Sequence, residues 1–178
     1  MNFNYTNFEA ELKKLTGETF NKCLQKLDAA QFSGFALYSD ESAMSISVSC
    51  NTQEHLKEAL EEEKGHDAYF KWTPGEWKYE MVNSKAFETL NGELSQVHLA
   101  DNGSDFLTHR NKIFRIAVKV LSDLKIERLF RTMSENFVLM FAVSDFSEPE
   151  FEIEFVKMLN TPMQVREFEE WIIKEGLL

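Results

Sequence analysis

Apolar residues recur along this chain with two periods, and each period points to a kind of element. Phe8, Leu12, Leu15, Phe20, Cys23, Leu24 and Leu27 follow a helical repeat, which predicts an amphipathic helix, continuous or broken in two at Gly17. Met44, Ile46, Val48 and Cys50 alternate with polar residues, the period of a half-buried strand. With the run from Phe32 to Asp40 and the polar connector Ser39-Asp40-Glu41-Ser42, they read as a β-hairpin. Phe87, Leu90, Leu94 and Val97 mark a helix over about 84–97, and Phe106, Ile113, Phe114, Ala117, Val120, Leu121 and Leu124 a longer one over about 105–124. From Phe137 to Val143 every residue is apolar. A run so short and continuous predicts a strand covered on both faces, placed at the centre of the sheet. Phe151, Phe155, Met158 and Leu159, then Val165, Phe168 and Ile172, complete two final helices.

Polar punctuation supports this division. Asn51 with Glu54, Thr73 with Glu76, Ser147 with Glu150 and Thr161 with Gln164 each have the spacing of a capping box. The three prolines, Pro74, Pro149 and Pro162, fall just inside those starts, where a missing N–H costs nothing. They therefore open helices and mark no linker. The expected architecture is α+β: a small, mostly antiparallel sheet, hairpin plus central strand, covered by about six helices. The 178 residues carry no repeat or linker, so one globular domain over 1–178 is expected.

Composition changes this picture at two points. Thirty acids against nineteen Lys and Arg give a net charge of −11. Nucleic acid and anionic membranes are therefore poor partners, because phosphate binding needs a basic footprint; a basic protein partner suits the charge better. The charge is also uneven. Residues 109–131 hold seven bases and two acids, net +5, whereas 145–178 hold three bases and nine acids, net −6. Either these segments pair with each other, or the acids form a docking surface. A second acidic group, Glu58, Glu61, Glu62 and Glu63, crowds a helix end, where carboxylates oppose the helix dipole. The start of the chain lacks the pattern of a secretory leader, and no apolar stretch is long enough to span a bilayer. Cys23 and Cys50 lie among apolar neighbours, so buried free thiols and a cytoplasmic setting are expected.

Candidate chemistry is sparse. His98, Asp101, Asp105 and His109 fall within twelve residues and could serve a metal-dependent hydrolase, although their spacing is not the usual one for ligands on a helix. His55 shares a helical face with Glu58 and Glu62, and Cys50 lies near His55 as an imaginable thiol–base pair. No nucleophile elbow, phosphate loop, dinucleotide fingerprint or zinc-protease motif occurs. The aromatic segment from Tyr69 to Tyr79 interleaves lysines and could stack on bases or sugars. Alternatively Trp72, Pro74, Glu76 and Trp77 form a core anchor, with the two indoles as a hydrophobic staple.

Taken in order, Phe35-Ala36-Leu37-Tyr38-Ser39-Asp40, Asn51-Thr52-Gln53-Glu54, Trp72-Thr73-Pro74-Gly75-Glu76-Trp77-Lys78-Tyr79-Glu80, Val143-Ser144-Asp145 and Met158-Leu159-Asn160 resemble the domain of unknown function 4303 family. The tryptophan segment is the most specific of them. The resemblance implies a single-domain bacterial protein similar to the immunity proteins of polymorphic toxin systems, and it implies no catalytic residues. The resulting expectation is a non-enzymatic cytoplasmic module that binds a protein, a cognate toxin domain, and needs no cofactor. Its contacts are expected at Glu58, Glu61, Glu62 and Glu63 or at Glu167, Glu169 and Glu170. The rival expectations are the hydrolase and a cytosolic interaction protein with no toxin partner.

Overall fold

The computed structural model describes residues 3–63, 65–100, 106–144 and 148–177, side chains excepted at 67 and 98–100. Among them are seven α-helices and three strands: α1 (Tyr5–Leu24), β1 (Phe32–Asp40), β2 (Ile46–Thr52), α2 (Gln53–Glu62), α3 (Asp67–Trp72), α4 (Ser84–Ala100), α5 (Phe106–Ile126), β3 (Val138–Ser144), α6 (Pro149–Leu159) and α7 (Pro162–Lys174). Single 3-10 turns occur at Ala29–Gln31 and Pro74–Glu76.

The expected hairpin is present, with β1 antiparallel to β2 from Ser39 opposite Ile46 to Phe32 opposite Thr52. The third strand corrects the rest of the expected sheet. β3 runs parallel to β1 from Gly34 beside Val138 to Asp40 beside Ser144, so the sheet is mixed. Its order is β2-β1-β3, which puts β1 at the centre and β3 at an edge. β3 is covered on both faces nevertheless. Leu139, Phe141 and Val143 join the larger core with Phe35, Leu37, Ile46 and Val48 and with the inner faces of α1, α4 and α5. Val138, Met140 and Ala142 face a second core with Ala36, Trp72, Trp77, Val165, Phe168 and Ile172. A continuous apolar run reports coverage of both faces; it carries no information about hydrogen-bond order.

On each outer edge of the sheet an asparagine side chain caps the backbone of one residue. Leu139 on β3 donates its N–H to Asn160 Oδ1 (3.0 Å), and Asn160 Nδ2 donates to the Leu139 carbonyl (2.8 Å). Asn91 on α4 treats Ile46 of β2 in the same way, at 2.8 and 3.1 Å. Each amide imitates a strand partner, satisfying part of an edge that would otherwise invite pairing with another chain. Farther along β2, Cys50 and Tyr79 exchange both backbone hydrogen bonds (2.9 and 3.0 Å).

Local signals fared unequally. Thr161 and Gln164 form the expected capping box at the start of α7. At α2 the cap is Thr52, whose hydroxyl accepts from the His55 N–H. Asn51, expected there, is buried in the sheet, and its Oδ1 accepts from Thr52 and Lys78 N–H groups. Thr73 caps no helix with its side chain; Pro74–Glu76 is one 3-10 turn, so the expected staple has no helix to brace. Ser147 lies outside the described residues. Helix α1 runs unbroken through Gly17, with Leu124 of α5 3.8 Å from where a Cβ would stand. Gly34 is more constrained: a Cβ there would lie 2.7 Å from the Trp77 ring, so that indole packs directly on strand backbone.

Candidate interaction surface

The basic face of α5 is largely neutralised within the molecule. Arg110 pairs with Glu148, the Arg115 guanidinium with Glu154 (2.7 Å), and Lys119 with Glu9 (2.6 Å) and Asp123 (2.8 Å). Lys112 sits 3.7 Å from the centre of the Tyr5 ring, and Lys125 donates to the Leu159 carbonyl (2.7 Å). The hydrogen bonds that Arg115 and Lys119 donate to their carboxylate partners hold their pKa values above the usual ones. The C-terminal acids Glu148 and Glu154 are thus matched by α5, as one of the two charge readings required. Arg128 and Arg131 make no ion pair among the described residues.

The acids expected to bind a partner divide in the same way. Glu167 accepts from Lys71 (2.6 Å), Glu169 pairs with Lys157 (2.7 Å), and Glu61 lies 3.7 Å from Lys57 one helical turn away. Glu58, Glu62, Glu63 and Glu170 are exposed and make no ion pair among the described residues.

Tertiary packing brings the two acidic stretches to one region. α2 packs on α3, and α3 packs on α7. Helix α2 buries no residue fully, so it lies on the molecule as an outlying helix with its carboxylates in solvent. Between α3 and α7 a shallow cleft of about 290 Å³ is lined by His66, Tyr69, Glu167, Glu170, Trp171 and Lys174, among others. The Tyr69 hydroxyl donates to Glu76 (2.9 Å), and this bond, burial, and the charges of Glu76 and Glu63 raise its pKa.

The aromatic segment supplies anchors to this region. Trp72 and Trp77 are 2% and 3% exposed, so neither indole is available to stack on a base. Pro74 is buried beside them, and the Glu76 carbonyl meets His55 Nε2 at 3.0 Å, tying α2 to the turn. His55 is therefore engaged away from Cys50, whose thiol lies 3.9 Å from the Cys23 sulfur in the core. That contact and burial push the Cys50 thiol up. Both cysteines are free and buried, which leaves Cys50 without the exposed thiolate a nucleophile needs.

Of the His/Asp group, Asp101, Asp105 and the His98 side chain lie outside the described residues. His109 Nδ1 meets the Tyr5 hydroxyl at 2.9 Å, with the Phe3 ring edge-on at 5.0 Å. Among the described residues no three His, Cys, Asp or Glu side chains converge as a metal site. No described helix is long and apolar enough to cross a membrane.

Signals for the edge-capping asparagines and for the unpaired arginines just beyond α5 were absent from the periodicity, since both depend on what packs beside them. The fold and this surface define an α+β protein built on a three-stranded mixed sheet, with unpaired acids gathered around α2, α3 and α7. The chain belongs to the family described as Domain of unknown function (DUF4303), whose model matches residues 12–161. No curated protein and no solved structure matches it.

Proposed function

We propose that this protein is a non-enzymatic binding module of the immunity type, which neutralises a basic toxin domain by direct contact in the bacterial cytoplasm. The observation that carries this reading is the separation of charge. The bases of α5 are mostly held by acids of the same molecule, whereas Glu58, Glu62, Glu63 and Glu170, in one region, have no ion pair among the described residues. Unpaired carboxylates on neighbouring elements steer a basic partner and fix its orientation, raising the association rate more than they deepen the final affinity. The free thiols of Cys23 and Cys50, 3.9 Å apart, suit a reducing compartment.

The test is genetic and biochemical together. A toxin-like reading frame is expected beside the gene for this chain. Its product should arrest growth when expressed alone, and co-expression of this chain should restore growth and yield a co-purifying complex. A neighbourhood with no such frame, or arrest undiminished by the folded chain, overturns the proposal.

A further inference from the structure

A cavity of about 440 Å³ opens where the segment following α5 meets the start of β3 and the α6–α7 junction. Phe130, Leu139 and Leu159, all buried, form its apolar floor, and the exposed Arg128 and Arg131 line it with Glu135. The volume and the apolar floor are those of a small-molecule site.

Several polar groups of the cavity wall are already engaged, whereas the side chains of Ser134 and Glu135 have no hydrogen-bond or ion-pair partner among the described residues. The Asn160 amide holds Leu139, Gln164 Nε2 donates to the Phe137 carbonyl (3.0 Å), and Lys125 Nζ donates to Leu159. The two arginines are not engaged in this way. They are the members of the seven-base stretch 109–131 that find neither an ion pair, an aromatic ring nor a carbonyl among the described residues.

Arg128 is one of four described non-glycine residues with left-handed backbone, the others being Ala43, Met81 and Asn83. Helix α5 ends in a Schellman motif: Leu129 N–H bonds to the Leu124 carbonyl and Arg128 N–H to that of Lys125, with Arg128 at φ +64°. Helix α7 ends in the same motif, Leu177 bonding to Ile172, and there the left-handed position holds Gly176 at φ +69°. Only glycine takes that conformation without a steric cost. The arginine at the corresponding point after α5 bears that cost at the lining of the cavity, a cost that Ala43, Met81 and Asn83 bear elsewhere.

We propose that this cavity binds a small amphipathic carboxylate, its aliphatic body on Phe130, Leu139 and Leu159 and its carboxylate at Arg128 and Arg131. Apolar burial supplies the attraction and the guanidinium groups the selection for an anion, through charge-assisted hydrogen bonds. The proposal stands apart from the acidic surface and from any toxin partner.

The experiment titrates the full chain with decanoate and, separately, with decanol, followed by amide NMR. Decanoate is expected to saturate below millimolar concentration, with shifts centred on Ser134, Phe137, Leu139 and Thr161. Decanol should bind roughly tenfold more weakly, and the R128G/R131A variant should lose that preference. Misfolding does not excuse a negative result in this variant, because glycine relieves the left-handed strain and Arg131 is exposed; its melting temperature is measured alongside. Absence of saturable decanoate binding, shifts centred elsewhere, or equal affinity for decanol each overturns the proposal.

Discussion

Glu152 illustrates how position can outweigh chemistry at a single residue. It lies in the first turn of α6, where the helix dipole favours a carboxylate, yet burial pushes its carboxyl up to about 7. Between the ordinary carboxylate value and about 7, the folded chain holds a proton at this site that the unfolded chain has lost. Stability contributed here therefore falls as pH rises through that window, then levels off. Glu152→Gln should remove this dependence. Urea unfolding at pH 5 and pH 8 is expected to show the wild type losing roughly 1–3 kcal/mol more than the variant between the two. Parallel profiles for the two proteins would show that the carboxyl stays charged throughout. Arg128 supplies a second case: R128G should unfold at an equal or higher denaturant concentration, a gain of up to about 1 kcal/mol. A clear loss of stability would mean that the guanidinium holds the turn together.

For the elements, the asparagines are the devices on which the sheet depends. Removing the Asn160 amide leaves the Leu139 N–H and carbonyl of β3 without partners, at a cost of about 1–3 kcal/mol. Asn160→Ala is expected to accelerate hydrogen exchange at Leu139 while leaving β2 amides such as Val48 at the rate set by global unfolding. Uniform acceleration across the sheet would argue that the edge opens only with the whole protein. The same elements explain which sequence signals were readable. Thr161 with Gln164 formed its box because both partners lie in one turn, so four residues settle the geometry. Asn51 had equal credentials, but the strand continued through it to Thr52, and its amide was recruited by the Lys78 N–H, 27 residues away. Likewise 137–143 was legible as a doubly covered strand, while its place at the edge depended on which strand β1 accepted beside it.

For the whole molecule, the net charge of −11 describes the surface less well than its distribution does. Exposed pairs such as Arg115 with Glu154 contribute little to stability, typically below about 1 kcal/mol each. Such pairing leaves Glu58, Glu62, Glu63 and Glu170 among the carboxylates with no ion pair among the described residues. Reversing Glu62, Glu63 and Glu170 to Lys is expected to slow association with the proposed basic partner severalfold at low salt, with the difference shrinking as ionic strength rises. Stopped-flow association rates that match the wild type at low salt would refute the steering. Because the three side chains are exposed, the melting temperature of the variant should stay close to that of the wild type.

Hydrophobic period and local capping sufficed for the three strands and for most helices, because both act over a few residues of contiguous chain; they missed α3 and placed a helix at Pro74, where there is one 3-10 turn. They sufficed also for the burial of Cys23 and Cys50; the family came from the resemblance of segments between residues 35 and 160, all within its matched span. The parallel pairing of β1 with β3, the capping of one residue on each sheet edge, the gathering of two acidic stretches around α3 and the isolation of Arg128 and Arg131 came only with the tertiary structure. Each depends on groups far apart in sequence, and which of them meet is decided by how the helices pack on the two faces of the sheet.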